Sequence, residues 1–496
     1  MTTTAPTVMS AAAVTTTTIA QPKVNPIAKL VRQVVTGVLS ALGLAPKAAP
    51  VPTSVPQMPA LWGVLAWVRR EIDQASAPIT ATAVAPISNY AAAASVPSAI
   101  APSAVVTNLP TITTEWLTGQ RFPNYTLQNY GINGSDLGIM WDNGIADDPT
   151  TPQDEHQVLI AFGDTFGANG SNWRQNVLLR SSDPVLWNGM YVGPGSTTDP
   201  FAGSPLAAPN YSKQLIANIS NLAGAKKQAS IIPTSGIAVA NPDGTVRQYM
   251  SFMSVRAWGT PGRWTTNYSA IAYSDDNGQN WAIAPTSIRA AAAGRAVSKF
   301  VAGSQNFQMG AFVDGGDGYV YNYGTPAGRA GTVYLSRVSE DAMLDKTQYE
   351  YWTGSAWVVN KPSAAKPLLP KTTTTILGFI KRTGIPSVSE MSVQYNEYLG
   401  KYIMLYGDSA NSMVLRTSDT PQGNWSAPIT LATAAQYPQL YAPMIHPWSS
   451  TGLLRKGDGV TVEDPRYLFW NMSMFGDYNV ISMRTDLQPL LGTVLV

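Results

Sequence analysis

The amino-acid sequence predicts an all-β fold, a five-bladed β-propeller, from an internal repeat, its spacing and the alternation of apolar residues. A short alternating apolar run that ends in a polar and an acidic residue occurs five times, at Asn176–Asp183, Tyr268–Asp275, Thr332–Glu340, Met413–Asp419 and Val480–Asp486. Successive repeats end 65 to 92 residues apart, which is enough for one four-stranded blade and its loops. Each repeat therefore predicts one blade.

The fourth repeat indicates most clearly how the strands of one blade are arranged. Alternating runs cover Glu390–Tyr395, Lys401–Tyr406 and Ser412–Thr417, and the turn-forming sequences NEYLG and GDSAN separate them. The second and third repeats contain three such runs each, at Gly236–Ala240, Arg247–Val255 and Asn267–Tyr273 and at Met309–Val313, Tyr319–Tyr323 and Thr332–Arg337. Each blade is therefore predicted to be an antiparallel meander.

A sequence at the end of the second repeat fits the Asp-box hairpin of sialidase-like propellers. Ser274, Asp276, Gly278 and Trp281 match the pattern S-x-D-x-G-x-x-W, and Thr417–Trp425 is a looser version in the fourth repeat. Because Asp and Ser side chains in turns mostly satisfy backbone groups, we interpret this motif as structural.

Composition divides the chain into a low-complexity N-terminus (1–23), a segment with helical periodicity (24–76), a Pro/Ala/Ser/Thr linker (77–110) and a propeller domain (111–496). Apolar residues at helical spacing in Asn25–Leu44 and Met58–Gln74 predict a short α-helical hairpin. We interpret this hairpin as a docking or packing element. Association with a membrane surface is the alternative.

Charge and composition exclude several classes of function. Charged residues make up 12% of the chain and the net charge is +2, which argues against nucleic acid as a partner. The absence of cysteine excludes disulfides and thiolate nucleophiles, and His156 and His446 lie near no G-x-S-x-G pattern. Any hydrolysis is therefore expected to use carboxylates. No metal or cofactor motif is present, although a structural cation in the channel, bound by carbonyls and a carboxylate, is compatible with the sequence.

The sequence contains no apolar run of the about 18 residues that a membrane-spanning helix needs. The first 22 residues lack the basic segment of a signal peptide. Low charge together with many Thr, Asn and Gly residues nevertheless suits an exported protein. We therefore expect a secreted or cell-envelope location by a route that the sequence leaves open.

Candidate catalytic residues are polar side chains at the starts of the innermost strands, because these strands line the channel of a propeller. The starts predicted from the repeats lie near Asp136, Ser235, Gln308, Glu390 and Tyr441. Two of the five are acids from different blades. Glycoside hydrolysis needs at least two carboxyl groups that face one cavity.

Asp136 is the candidate base or nucleophile, because Gly134 and Gly138 beside it leave room for a ligand; the alternative is a turn aspartate. Glu390 is the candidate acid, because the start of an otherwise apolar strand would partly desolvate it. The alternative interpretation is that Glu390 lies at the rim and forms an ion pair with an arginine.

Further candidates follow the second strand of the first blade or could surround the channel. Asp164, in AFGDTFG, could orient a sugar hydroxyl or tune the acid, with a tight turn as the alternative. Sugar binding uses aromatic faces and planar donors. The aromatic residues and the planar donor predicted to contact substrate are Trp141, Tyr268, Tyr321 and Arg329. Asp142 is a further acid predicted to do so.

Several of these segments, in order, resemble a known family. SDLGIMWDNG, HQVLIAFGDTFG, GDGYVYNYGTPAGRAGTVYLSRV and SEMSVQYNEYLGKYIMLYGD are similar to the family first catalogued as domain of unknown function 4185, and the resemblance covers roughly 111–496. Through that family the chain resembles glycoside hydrolase family 183, mycobacterial endo-D-arabinofuranosidases that cut the D-arabinan of arabinogalactan and lipoarabinomannan on a five-bladed propeller. The resemblance implies acidic catalysts in the channel, at Asp136, Asp164 and Glu390.

Two hypotheses of function follow. The first is an envelope enzyme that cleaves internal α-D-arabinofuranosyl linkages, with cell-wall D-arabinan as its partner. The second is a catalytically inactive propeller that binds wall glycan or a protein, since propellers serve both purposes. Acids at two innermost-strand starts favour the enzyme. A sialidase is disfavoured because the arginines are scattered and do not form a cluster that could bind a sugar carboxylate.

Overall fold

Antiparallel β-sheets dominate the part of the chain that the structure describes. A computed structural model describes residues 106–151, 153–217, 223–260, 262–376 and 380–491. The predicted N-terminal segment, helical hairpin and linker up to residue 105 lie outside these described residues. Among the described helices, none is long and apolar enough to cross a membrane.

The strands are numbered β1 to β25 along the chain. The first blade contains β2 (Ile139–Asp142), β3 (Val158–Phe162) and β4 (Val177–Ser181), and the second contains β7 (Ser230–Ala240), β8 (Val246–Trp258), β9 (Trp264–Ser274), β10 (Ala282–Ile283) and β11 (Arg289–Ala290). The third contains β12 (Met309–Asp314), β13 (Tyr319–Thr325), β14 (Tyr334–Ser339), β15 (Glu350–Trp352) and β16 (Trp357–Val359). The fourth contains β19 (Met391–Asn396), β20 (Lys401–Gly407), β21 (Ser412–Ser418) and β22 (Ile429–Thr433). The fifth contains β23 (Leu440–Ile445), β24 (Tyr467–Met474), β25 (Asn479–Asp486) and β1 (Thr111–Trp116).

The remaining described elements are short. They are the hairpins β5 (Leu206–Ala208) with β6 (Tyr211–Ser212) and β17 (Thr372–Ile376) with β18 (Ile380–Gly384), the helix α1 (Thr126–Tyr130), and 3-10 turns at Ala168–Gly170, Pro285–Ser287, Ser304–Asn306, Glu340–Ala342, Pro362–Ala364 and Gln488–Leu490.

The five predicted repeats are the third strands of the five blades, β4, β9, β14, β21 and β25. Their arginines explain part of the pattern. Arg180 and Arg416 are fully buried, and their guanidinium groups donate to carbonyl oxygens of Asn277 and Ser426 respectively. Arg416 therefore fastens the loop after its own strand, whereas Arg180 joins the first blade to the turn after β9 in the second blade. The prediction of a five-bladed propeller is confirmed.

The N-terminal strand closes the ring. β1 pairs antiparallel with β25, from Thr111 opposite Thr485 to Trp116 opposite Ile481. The last blade thus takes its outermost strand from the beginning of the propeller, so that the first and last blades are held together by backbone hydrogen bonds. This pairing also covers the edge of β25, which would otherwise be open to association.

The end of the predicted linker does not behave as a tether. Asn108 forms a parallel bridge with Thr430 of the fourth blade, and the Leu109 side chain is buried against the core between the fourth and fifth blades. The backbone N–H of Asp486 donates to the carbonyl of Pro110. Apolar burial at Leu109 explains why the chain is already ordered before β1.

The innermost strands β2, β7, β12, β19 and β23 contact one another in a closed ring. Since each begins at the same end of the channel, the residues before them converge on one mouth, called here the entry mouth. Residues that follow the second strand of each blade lie at the same mouth, because that strand runs the opposite way. The fold therefore brings residues that are hundreds of positions apart in the sequence together at the entry mouth.

Candidate active site

Asp136 lies at the entry mouth, immediately before the first innermost strand. Its carboxylate oxygen Oδ2 accepts a hydrogen bond from the Tyr441 hydroxyl of the fifth blade at 2.9 Å. The residue is 2% exposed. Gly163 packs so closely that an added Cβ would lie 2.5 Å from the Asp136 oxygen Oδ1. Glycine at position 163 therefore makes room for this carboxylate.

Glu390 lies at the same mouth, immediately before the innermost strand of the fourth blade. The guanidinium of Arg329 donates to both of its carboxylate oxygens, with N···O distances between 2.9 and 3.2 Å. The Arg329 guanidinium carbon also lies 4.9 Å from the centre of the Tyr441 ring. Arg329 and Tyr441 thus connect the carboxylate of Glu390 to that of Asp136.

Asp164 is a second buried acid of the first blade, two residues beyond β3. Its oxygen Oδ1 accepts hydrogen bonds from the Ser230 hydroxyl at 2.6 Å and from the indole N–H of Trp173 at 2.9 Å. Ser230 begins the innermost strand of the second blade. Asp164 therefore lies at the entry mouth as well, and contacts the neighbouring blade.

These contacts define the entry-mouth group as Asp136, Asp164, Glu390, Arg329 and Tyr441. Three of its members are acids, and each accepts at least one hydrogen bond from another blade or loop. The Glu390 side chain is 11% exposed and that of Arg329 is 27% exposed, so this ion pair is only partly screened by water. Carboxylates fixed in a partly desolvated cleft are suited to proton transfer or nucleophilic attack.

The ion pair bears on the expected role of Glu390. An arginine that donates to both oxygens of a carboxylate binds the ionised form. The environment expected for a general acid, an apolar strand start without a cation, is therefore not what surrounds Glu390. The alternative reading, a glutamate paired with an arginine, describes its contacts.

Asp142 lies at the opposite mouth of the channel, because it ends the innermost strand that Asp136 precedes. Its oxygen Oδ2 is bonded to His156 Nε2 at 2.7 Å and to the indole N–H of Trp448. Burial acts to raise the pKa of Asp142, but hydrogen bonds from His156, the Gly144 N–H and Trp448 outweigh it, so that the pKa is lowered. The hydrogen bond to Asp142 in turn raises the pKa of His156.

The expectation that Asp142 contacts substrate beside Asp136 is thus corrected. The strand direction separates the two carboxylates, and Asp142 instead joins the first blade to Trp448 of the fifth.

Three predicted aromatic contacts lie in the interior. Trp141 is 4% exposed, donates from its indole N–H to Gln248, and packs against Gly236, where an added Cβ would lie 2.2 Å from the ring. Tyr268 is fully buried in the second blade. Tyr321 is buried in the third blade, and its hydroxyl donates to Asp317 in the turn before β13. These rings pack blades against each other, which corrects their assignment to substrate binding.

Two other polar residues at innermost strands serve the framework. The Ser235 hydroxyl accepts a hydrogen bond from the Phe312 N–H of the neighbouring blade. The Gln308 amide is bonded to Thr266, Arg289 and Ser304. Both side chains make their hydrogen bonds within the framework, whereas Tyr441 and Arg329 connect the carboxylates of Asp136 and Glu390.

Ser230 and Trp173 contact an acid of the site and were not predicted from the sequence. Tyr441 was predicted only as the start of an innermost strand. The sequence signal for its contact with an acid is that its strand begins at the same mouth as those that follow Asp136 and Glu390. The Trp264 ring centre lies 5.8 Å from the Arg329 guanidinium carbon, so it borders the group. Among the described residues, no cluster of three or more His, Asp or Glu side chains is arranged to hold a metal ion.

A five-bladed propeller with three acids at one mouth of its channel is the class of protein that these features define. The chain belongs to the family described as Domain of unknown function (DUF4185), which matches residues 121–484. Among curated proteins it is similar to the notoamide biosynthesis cluster protein J' of Aspergillus versicolor, with 26% identity over 337 residues that cover 65% of this chain and 79% of that protein.

Solved structures with a similar fold have low sequence identity. One is an endo-arabinase from Bacteroides thetaiotaomicron VPI-5482, with 12% identity, a TM-score of 0.35, and coverage of 71% of this chain and 94% of that chain. Another is an N-acetylgalactosamine deacetylase from F. plautii, with 9% identity, a TM-score of 0.40, and coverage of 78% and 100%. These two proteins have different activities, so neither likeness identifies a reaction for this chain.

Proposed function

We propose that the protein is a glycoside hydrolase that cleaves internal α-D-arabinofuranosyl linkages of cell-wall arabinan. The observation that carries the proposal is the connection of Asp136 and Glu390, from the first and fourth blades, through Tyr441 and Arg329 at one mouth of the channel. Glycoside hydrolysis needs two carboxyl groups on one cleft, one to protonate the leaving oxygen and one to activate water or attack the anomeric carbon.

Asp164 has a supporting role in this proposal. Its hydrogen bonds to Ser230 and Trp173 hold a third carboxylate at the entry mouth, and we assign it the role of orienting a sugar hydroxyl. The resemblance of residues 111–496 to endo-D-arabinofuranosidases supports arabinan as the substrate, and an arabinan of the wall implies a secreted or envelope location. The name of the curated fungal relative refers to a biosynthesis cluster and states no activity on glycans.

The test is a substrate panel with the purified full-length protein. Mycobacterial arabinogalactan, lipoarabinomannan, a plant L-arabinan and a galactan are incubated separately, and released oligosaccharides are separated and analysed by mass spectrometry. We expect oligo-arabinosides of several lengths from the two D-arabinans and none from the other glycans. Release of single sugars only would contradict cleavage of internal linkages, and release from L-arabinan alone would contradict the substrate class.

A propeller that binds glycan without cleaving it is the second candidate. The Arg329–Glu390 ion pair favours it, since a carboxylate whose two oxygens both accept hydrogen bonds from a guanidinium also occurs as a purely structural feature. Retention of D-arabinan on the immobilised protein with no released product would support this candidate and contradict the hydrolase.

A further inference from the structure

We propose that one buried water molecule binds where the ring closes, between the fifth and first blades, and is held by Thr114, His446, Asn471 and Ser482. Thr114 belongs to the closing strand β1, and the other three belong to the fifth blade or directly follow its innermost strand. None of the four is part of the entry-mouth group. The site is therefore independent of the proposed function, and its role is to fasten the closure of the propeller.

A small cavity lies between these two blades, called here the closure cavity. Its volume is about 10 Å³, which is about the space that one water molecule occupies. Besides the four polar residues, its walls are largely apolar and come from both blades, with Met140, Leu186 and Met190 from the first and Phe469, Trp470 and Met483 from the fifth. An occupant of the closure cavity therefore contacts the last blade and the first.

Each of the four polar residues brings one buried atom that has no hydrogen-bond partner among the described residues. These atoms are Thr114 Oγ1, His446 Nε2, Asn471 Oδ1 and Ser482 Oγ. His446 and Asn471 are each 1% exposed. A buried polar atom without a partner destabilises a fold, so four of them around one cavity indicate a shared ligand.

The strand pairing brings three of these side chains into one row. Asn471 on β24 lies directly opposite Ser482 on β25, and side chains at opposite positions of an antiparallel pair lie beside each other on one face. On the other side of β25 the register with β1 shifts after Thr113, so that Thr114 and Glu115 both lie opposite Ser482. The polar row therefore crosses from the fifth blade onto the closing strand.

The hydrogen bonds already present determine what the occupant must donate and accept. Asn471 donates from Nδ2 to the Gly138 carbonyl of the first blade at 2.9 Å, so its Oδ1 is left as an acceptor. His446 Nδ1 accepts the backbone N–H of Trp448 at 3.2 Å. Burial lowers the pKa of His446 to about 3, so the ring is neutral and its proton is on Nε2.

The occupant must therefore donate to Asn471 and accept from His446. Water does both, whereas a cation would face the proton on His446 Nε2 and a halide would face the oxygen of Asn471. The hydroxyls of Thr114 and Ser482 each donate or accept, which brings the occupant to four hydrogen bonds. Buried waters make between two and four.

The sign of a stability change tests the proposal in the full-length protein. Thr114→Val and Ser482→Ala remove hydroxyls that bond nothing among the described residues. With water in the closure cavity, each variant loses a hydrogen bond, and we expect the equilibrium constant for unfolding, measured by urea denaturation, to rise about fivefold. In a dry cavity each variant would lose an unsatisfied hydroxyl, so an unchanged or smaller constant would overturn the proposal.

Thr325→Val is the matched control. Thr325 is fully buried and its hydroxyl also has no partner among the described residues, but it does not line the closure cavity. We expect this variant to leave the unfolding constant unchanged or to lower it. A loss of stability as large as in Thr114→Val would show a general effect of removing a threonine hydroxyl and would count against bound water.

A high-resolution crystal structure identifies the occupant directly. Crystals are soaked in sodium bromide or, separately, in rubidium chloride, and anomalous scattering is recorded. We expect one water peak within hydrogen-bond distance of the four atoms and no anomalous signal there. A bromide or rubidium peak in the closure cavity, or no density in it, would overturn the assignment of water.

Discussion

The hydroxyl of Tyr441 donates a hydrogen bond to Asp136, which lies 305 positions earlier in the chain. This single bond joins the innermost strand of the last blade to the start of the first. It exists because the propeller closes on itself through β1 and β25. Closure of the ring therefore also assembles part of the entry-mouth group, because Asp136 comes from the first blade and Tyr441 from the last.

The first prediction concerns Asp164. Ser230→Ala removes one hydrogen bond to the Asp164 carboxylate and leaves the Trp173 bond in place. Loss of one hydrogen bond to a charged group costs about 1.5 kcal/mol or more, so we expect kcat/KM on D-arabinan to fall about tenfold. Ser235→Ala is the matched control, because Ser235 lies on the same strand and bonds the framework. Equal losses in both variants would contradict a role of Asp164 in the site.

The second prediction concerns the two histidines, which are the only ones in the chain. Burial lowers the pKa of His446 from 6.5 to about 3, whereas the hydrogen bond to Asp142 raises the pKa of His156. Titration of the imidazole nitrogen shifts by NMR should show His156 titrating above 6.5 and His446 remaining neutral to about pH 3. Assignment by His156→Gln separates the two signals. A His446 midpoint near 6.5 would contradict its buried environment.

These shifts have opposite consequences for stability. The unfolded chain binds a proton at His446 between about pH 6.5 and 3 while the folded chain does not, so this residue makes the protein less stable as pH falls through that window. His156 stabilises the fold below about pH 6.5, and this contribution is lost as pH rises through its higher folded value. His446→Asn should therefore flatten the loss of stability on acidification, measured by denaturant unfolding at several pH values.

Part of this arrangement could be predicted from the sequence. The five repeats, from the first at Asn176 to the last at Val480, predicted the number of blades correctly. Each is a third strand with an alternating apolar pattern that ends in a polar and an acidic residue. Asp136 and Glu390 followed from counting back to the innermost strand. Tyr441 could not be assigned a partner in this way, because its bond to Asp136 depends on how the ring closes.

The errors have a common physical cause. Trp141 and Tyr321 pack in apolar clusters shared with neighbouring blades, so the alternation of apolar residues does not reveal which aromatic rings reach the channel. Asp142 lies only six positions from Asp136, yet a four-residue strand carries it to the other mouth. Closeness in sequence was therefore a poor guide to closeness in the site.

The third prediction tests the packing role of Trp141. Gly236→Ala would place a Cβ 2.2 Å from the Trp141 ring, so the first and second blades must separate. We expect a loss of about 2 kcal/mol in the free energy of unfolding, measured by urea denaturation. Gly193→Ala is the control, because nothing lies within 4 Å of an added Cβ there. Equal stability of both variants would contradict tight packing at Trp141.

The fourth prediction separates the Asp-box from chemistry. Asp276 accepts hydrogen bonds from the Ser274 hydroxyl and from the backbone and side chain of Asn280. Asp276→Ala should lower the free energy of unfolding by about 1 kcal/mol and leave kcat/KM on D-arabinan unchanged. Thermal unfolding and kinetics on the same preparation test both parts. A tenfold loss of activity with unchanged stability would give this aspartate a role that we do not assign to it.

The most direct measurement of the central claim compares oligo-arabinoside release from D-arabinan by wild type, Asp136→Asn, Glu390→Gln and Asp142→Asn, with folding checked by circular dichroism. Asp136 and Asp142 flank the same innermost strand at opposite mouths, so the two Asn variants differ in location and not in chemistry. We expect both entry-mouth variants to lose at least about a thousandfold in kcat and Asp142→Asn to keep nearly wild-type release. Wild-type release by folded Asp136→Asn and Glu390→Gln would contradict a carboxylate pair at the entry mouth.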